Sequence, residues 1–227
     1  MAEKYDSQII RFDSASSFFE VLNSALPIGK LQINFINYDK TTNKQKDKLE
    51  IYMDTWRAVA LADDILSGRL DDFIAKSEAK GSFNDPYTGQ FQKVSQYSSY
   101  FTDMGGIKFH KGGKFDEARF NKYKTQFAWM EKDKDISRQL KIQKSTKYKY
   151  VLRAEYGLGH EDENGLVVPE GMAKVSAQVP LTQGNAIEFA IAIKMSVEAY
   201  LNQYYAKFNK DLFPNQKVNI YKPTSNT

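Results

Sequence analysis

Residues 30–68 read KLQINFINYDKTTNKQKDKLEIYMDTWRAVALADDILSG, and the periodicity of this stretch decides the fold. Leu31, Ile33 and Phe35 fall on one face of an extended segment, with Gln32 and Asn34 on the other. KTTNKQKDK is a lysine-rich turn. LEIYMD is the return strand, with Leu49, Ile51 and Met53 on one face and Glu50 and Tyr52 on the other. Asp54 or Thr55 then caps a helix patterned on Trp56, Val59, Ala60, Ile65 and Leu66, with Gly68 as its stop. The stretch is a β-β-α unit.

Upstream, SASSFFEVLNSAL (14–26) predicts a short helix that ends before Pro27. Downstream, strands followed by a helix occur again. ISRQLKIQ and TKYKYVLRAEYG predict strands, and HEDENG is a polar turn with an Asn164-Gly165 hairpin signal. AKVSAQVPL alternates, with Val175, Ala177, Val179 and Leu181 on one face and Lys174, Ser176 and Gln178 on the other. Thr182 caps a long helix over 183–209, carrying Ala186, Ala190, Ile193, Val197, Leu201, Tyr204 and Phe208 at helical spacing. The stretch 77–130 is irregular and rich in rings, and a helix over 116–131 gathers Phe120, Tyr123, Phe127 and Met130. The expected fold class is α+β, with antiparallel sheets packed on helices. A single domain over 1–227 would hold a strand-strand-helix unit twice, at 30–68 and 138–209, joined by the 77–130 insertion.

Composition narrows the chemistry. The chain has 227 residues, 41% of them hydrophobic, which is enough for a sizeable core. It has no cysteine, so disulfides, thiolate zinc sites and a cysteine nucleophile are excluded. The opening MAEKYDSQII has no apolar leader core, and no run approaches the roughly 18 apolar residues of a membrane span. The expectation is a cytoplasmic protein with no membrane partner. His110 and His160 sit in no ligand or nucleophile motif. Asp63, Asp64, Asp71 and Asp72 could form a metal pair serving a nuclease, but they read first as solvated helix ends. The run Glu161-Asp162-Glu163 lacks the spacing of a calcium loop. Neither GGIKFHKGG nor GLGHEDENG matches a phosphate-binding loop. A non-enzyme without cofactor or metal is therefore expected.

The case for binding is stronger. The net charge of +4 does not by itself identify a polyanion partner, so the placement of charge matters more. The window 138–153 holds Arg138, Lys141, Lys144, Lys147, Lys149 and Arg153 and no acid. Lys174 and Tyr52 join them on the polar strand faces. In the loop that follows Gly106, Lys108, Phe109, Lys111 and Lys114 interleave rings with charge. Together these residues are the candidate nucleic-acid contacts, since phosphates attract cations and exposed bases stack on rings. Along 147–156, Tyr148, Tyr150, Leu152, Ala154 and Tyr156 alternate with Lys147, Lys149, Val151, Arg153 and Glu155. The tyrosines therefore belong mainly to the core, and stacking rings would come from Tyr52 or the Phe109 loop. A charged outer face is expected of any half-exposed antiparallel sheet. The acid-free window, continued by the Lys40–Lys48 turn and the Lys108–Lys114 loop, goes beyond that expectation. The alternative is a protein-interaction or assembly module that docks through 83–115.

The segments KLQINFINYD…LEIYMDTWRAVALADDILSGRL and KYKYVLRAEYGLGHEDENGLVVPEG, with the long closing helix, resemble single-stranded-DNA-binding proteins of bacterial conjugative elements and phages. The repeated strands-then-helix order resembles the Whirly-like architecture. The resemblance covers about half of the chain and leaves 77–130 aside. It implies single-stranded DNA (or RNA) and DNA-processing proteins as partners, and a homo-oligomer.

Overall fold

The computed structural model describes residues 7–80, 82–84, 91–93, 100–103, 105–111 and 113–212, with side chains at 7–76, 105–110 and 113–207. Four strands, β1 (Gln8–Asp13), β2 (Ser17–Leu22), β3 (Lys30–Tyr38) and β4 (Gln45–Asp54), form an antiparallel meander in that order. Helices α1 (Thr55–Ser67) and α2 (Arg69–Lys80) follow. Two short ladders come next in the chain, β5 (Ser82–Asn84) with β6 (Phe91–Lys93) and, after β7 (Tyr100–Asp103), β8 (His110–Lys111) with β9 (Lys114–Phe115). Helix α3 (Glu117–Gln126) starts on Asp116, whose carboxylate accepts the Arg119 N–H. The second sheet joins β7 to β10 (Asp135–Lys144), β10 to β11 (Tyr150–Glu161), and β11 to both β12 (Val167–Pro169) and β13 (Val175–Leu181). Helix α4 (Gln183–Leu212) closes the chain, with the Thr182 hydroxyl accepting the Asn185 N–H at 3.2 Å. The fold is α+β. An antiparallel four-strand path followed by a helix occurs in each half, through β1-β2-β3-β4 and through β7-β10-β11-β13.

Three expectations on local structure change. The stretch 14–26 holds strand β2 rather than a helix. FFEVL pairs with β3, so that Phe19 faces Phe35 and Val21 faces Ile33. Tertiary pairing overrides the capping signal there. In α1 the buried stripe is Ala58, Leu61, Ala62 and Ile65, while Trp56 is 54% exposed and Leu66 is exposed as well. The helix is thus rotated so that its small residues meet the core. The strand expected to begin at Thr146 begins instead at Tyr150, after bends at 146–149, and runs on to Glu161.

The first sheet buries two aligned cross-strand rows, Phe12–Phe19–Phe35–Leu49 and Ile10–Val21–Ile33–Ile51. Phe189 of α4 meets Phe19 edge-on at 5.6 Å. In the second sheet, Leu140, Leu152, Ala154, Ala177, Val179 and Leu181 face the same core. Helix α1 packs on α4, and Lys194 Nζ binds Asp63 at 2.6 Å across that contact. Gly106 allows its segment to lie against the second sheet, because a Cβ there would come within 2.2 Å of the Val167 Cβ. Among the described residues, no helix is long and apolar enough to cross a membrane.

The sheets are tied at one edge. The Tyr156 hydroxyl accepts the Glu50 N–H at 2.8 Å and donates to the Glu50 carbonyl, so it pairs two backbone groups of edge strand β4. Gln126 of α3 donates to the Lys48 carbonyl on the same edge at 2.8 Å. Tyr156→Phe should therefore lower stability by about 1–2 kcal/mol. A urea titration would show this as a lower midpoint with an unchanged slope. An unchanged midpoint would rule out the tie.

Burial holds the phenols of Tyr150 and Tyr156 above their ordinary value, and for Tyr150 the neighbouring Asp71 adds to it. The folded chain then keeps protons that the unfolded chain releases above about pH 10. The stability from this source is complete below that pH and is lost as pH rises beyond it. Urea midpoints should fall above about pH 10, and they should fall less steeply in Tyr150→Phe.

Candidate functional site

The register of the second sheet sorts its polar residues into two faces. Arg138, Leu140 and Ile142 lie opposite Tyr156, Ala154 and Leu152 and face inward. Ser137, Gln139, Lys141 and Gln143 lie opposite Gly157, Glu155, Arg153 and Val151 and face outward. β13 extends the outward rows, with Gln178 opposite Arg153 and Ser176 opposite Glu155.

Lys141 and Arg153 are therefore a directly opposed pair of cations, an arrangement that destabilises a sheet when nothing offsets it. Glu155 offsets it here. Lys141 Nζ donates to Glu155 Oε2 at 2.5 Å, whereas Arg153 Nε lies 2.7 Å from Glu155 Oε1 as an ion pair, with no aligned hydrogen bond among the described residues. Glu155 is only 8% exposed. The three side chains line a cavity of about 350 Å³ with Ser137, Gln139 and Met172. Arg153 also lines a second, more open cavity of about 700 Å³, bordered by Asn37, Tyr148, Gln178 and Asn185. The two cavities share Arg153 in their linings; we refer to them together as the trough, whose smaller part is also lined by Leu158, Pro169 and Met172 and whose larger part also borders Asp13. At this junction the sheets touch again: Ser17 Oγ donates to the Gln178 carbonyl at 2.7 Å, and Asn37 Nδ2 to the Ser176 carbonyl at 3.0 Å.

The remaining candidates are dispersed. Arg138 points inward, donates through Nε to the Gly105 carbonyl at 3.1 Å, and lies 5.8 Å from the Tyr52 ring. Tyr52 is half-buried, and burial raises its phenol above the ordinary value. Lys149 binds Asp71 of α2 at 2.5 Å, on the carboxylate that also accepts the Tyr150 hydroxyl. Lys108 is held by Glu161 at 2.8 Å and by the Gly165 carbonyl. Phe109 corrects the expectation of an exposed stacking ring. It is 1% exposed and packs edge-on against Phe120 and Tyr123, so no base can reach its face. Lys114 is exposed on β9, and the side chain of Lys111 lies outside the described residues. Lys144 and Lys147 are exposed at the turn that connects β10 to β11. Lys174 is exposed beside Ala173, a wall of the smaller cavity.

The other candidate chemistries find structural uses. Asp63 pairs with Lys194, Asp64 with Arg69 at 2.8 Å, and Asp71 with Lys149, so these carboxylates act as counter-ions rather than converging on one point. His110 lies exposed against Phe115, and His160 lies exposed at 3.7 Å from Glu170. Of the proposed docking segment 83–115, side chains are described only at 105–110 and 113–115, and within these Phe109 and Phe115 pack onto the core.

The sequence reading missed Tyr148 and Glu155. Alternation placed Tyr148 in the core, but it precedes the strand and borders the trough half-exposed. Glu155 stands just past the acid-free window and supplies its counter-charge. A triple change of Lys147, Lys149 and Arg153 to glutamate would therefore not leave the fold untouched. Arg153→Glu should cost about 1–3 kcal/mol, because it sets a second carboxylate beside a buried one. Lys147→Glu should stay within about 0.5 kcal/mol. Urea midpoints of the two single variants check this, and equal midpoints would contradict the clamp.

No family model, curated protein or solved structure matches this chain.

Proposed function

We propose that this chain binds single-stranded nucleic acid, DNA in the first instance, and does no chemistry on it. One observation carries the reading: two neighbouring cavities share the cation Arg153 in their linings, one on the outer face of the second sheet and one between β13 and the β1–β2 corner. An extended, polar, anionic ligand fits such a trough better than a compact apolar one does. Arg153 lines both cavities and Lys141 the smaller one. Lys174 flanks one end, and Lys147 flanks the other beside Tyr148. Phosphates would meet the cations, and one base could stack on the half-exposed Tyr148 ring. Gln139, Gln178, Asn37 and Asn185 add amides for sugar and base edges. The resemblance to DNA-binding proteins of conjugative elements and phages agrees with this reading and would make DNA-processing proteins its neighbours.

Fluorescence anisotropy with a labelled oligothymidylate tests the proposal. Binding should be micromolar or tighter at about 50 mM salt and much weaker at about 200 mM. Tyr148→Ala should weaken it by about 1–3 kcal/mol. Lys144→Glu with Lys147→Glu and Lys174→Glu should flatten the salt dependence while leaving the urea midpoint near its original value. No binding at micromolar protein in low salt would defeat the proposal. Equal affinity for a duplex of the same length would remove its single-strand preference.

A further inference from the structure

We propose that Glu155 is a built-in counter-ion that tunes this face, its carboxylate standing where one phosphodiester of the bound strand would otherwise sit between Lys141 and Arg153. The inference rests on the nucleic-acid reading and adds a specific subsite to it. Its first support is the register. Lys141 and Arg153 are directly opposed on adjacent strands, and one carboxylate bridges both at 2.5 and 2.7 Å. The group consists of two cations and one anion, so it carries one net positive charge, the complement of one phosphodiester. Its second support is exposure. The Glu155 side chain is 10% exposed, whereas those of Lys141 and Arg153 are 20% and 32% exposed on the cavity wall. An arriving phosphate can therefore reach the cations, while the carboxylate beneath them stays in place. The third is the neighbours. Gln139 and Ser137 line the same cavity, and the Arg153 guanidinium also reaches Ser176 Oγ at 3.5 Å, so the cation is positioned from two sides. In this arrangement the carboxylate keeps the opposed cations compatible in the empty protein and holds back part of their attraction for the strand.

A charge series tests the idea, with oligothymidylate anisotropy and urea unfolding measured on every variant. Glu155→Gln keeps the side-chain shape and removes the carboxylate that bridges Lys141 and Arg153. It should bind about tenfold more tightly at about 50 mM salt and steepen the salt slope by about 0.7, the effect of one more neutralised phosphate. Lys141→Met cancels the net charge of the group, and it should weaken binding and flatten the slope by a similar amount. The double variant Lys141→Met with Glu155→Gln restores a single positive charge and should return both quantities close to those of the unchanged protein. Because its charge is balanced, it also serves if Glu155→Gln alone unfolds. If the unchanged protein binds and all folded variants share one slope, or if Glu155→Gln binds more weakly, the counter-ion role is overturned while the DNA-binding reading stands. If the unchanged protein shows no binding at micromolar concentration in low salt, the DNA-binding reading itself falls, and the subsite with it.

Discussion

The edge of β4 is one of the two places where side chains of one half hydrogen-bond the backbone of the other. An edge strand presents unpaired N–H and C=O groups, which must find partners or invite unwanted pairing. Here the partners come from side chains rather than from another strand. Tyr156 uses one hydroxyl to accept from and donate to Glu50, and Gln126 takes the Lys48 carbonyl. The contact explains why Tyr156 is buried although it carries a polar tip, since the tip is paired at the edge it meets. It also fixes the inward row of the second sheet. Arg138 lies directly opposite Tyr156 and is drawn against Tyr52 and the Gly105 carbonyl. With the inner face committed to joining the sheets, the outer face is left to carry the trough.

The fold was legible wherever alternation and end signals agreed. The β3–β4–α1 segment combines strict alternation, a lysine-rich turn and Gly68, which takes the left-handed conformation at φ 78°. The closing helix was legible from Thr182 and from Ala186, Ala190, Ile193 and Val197, which are buried, although Tyr204 is exposed, the side chain of Phe208 lies outside the described residues, and Phe189, which reaches Phe19, was not among the residues singled out. The β2 segment was not legible. Its short apolar run with flanking serines suits a helix end as well as a strand, and only its pairing with β3 decides between them. The α1 face was misassigned because Trp56 is large, whereas the core there takes Ala58 and Ala62.

Charge was the least legible property, for a reason that is geometric rather than chemical. A window without acids in the sequence is not a window without acids in space. Lys149 meets Asp71, far away along the chain, because α2 approaches the start of β11. Lys141 and Arg153 share Glu155, which follows just after the window and is brought to Lys141 by the β10–β11 register. Alternation separated Arg153 from Tyr150 and Tyr156 correctly but not from Tyr148, and it could not show that Arg138 faces the other way, across the sheet. The candidate surface is consequently smaller than the basic window, and its exposed charge lies at the rim, in Lys144, Lys147 and Lys174.

What distinguishes the outer face of the second sheet is buried polarity more than exposed charge. Ser137, Gln139, Gln143 and Glu155 are all largely removed from solvent, on the face turned away from the shared core. A face needed only for packing would carry apolar residues, because a buried polar group gains nothing over a well-packed apolar one and costs free energy if its partner is lost. Ser137 binds the Gly157 and Leu158 carbonyls at 3.3 and 3.2 Å, and Glu155 is held by two cations. Groups satisfied in this way are fixed in position before any ligand arrives. Such preorganisation lowers the cost of ordering side chains on binding. A sheet that holds paired polar groups beneath a rim of exposed lysines is arranged to bind an extended polar chain, and that argument does not depend on net charge.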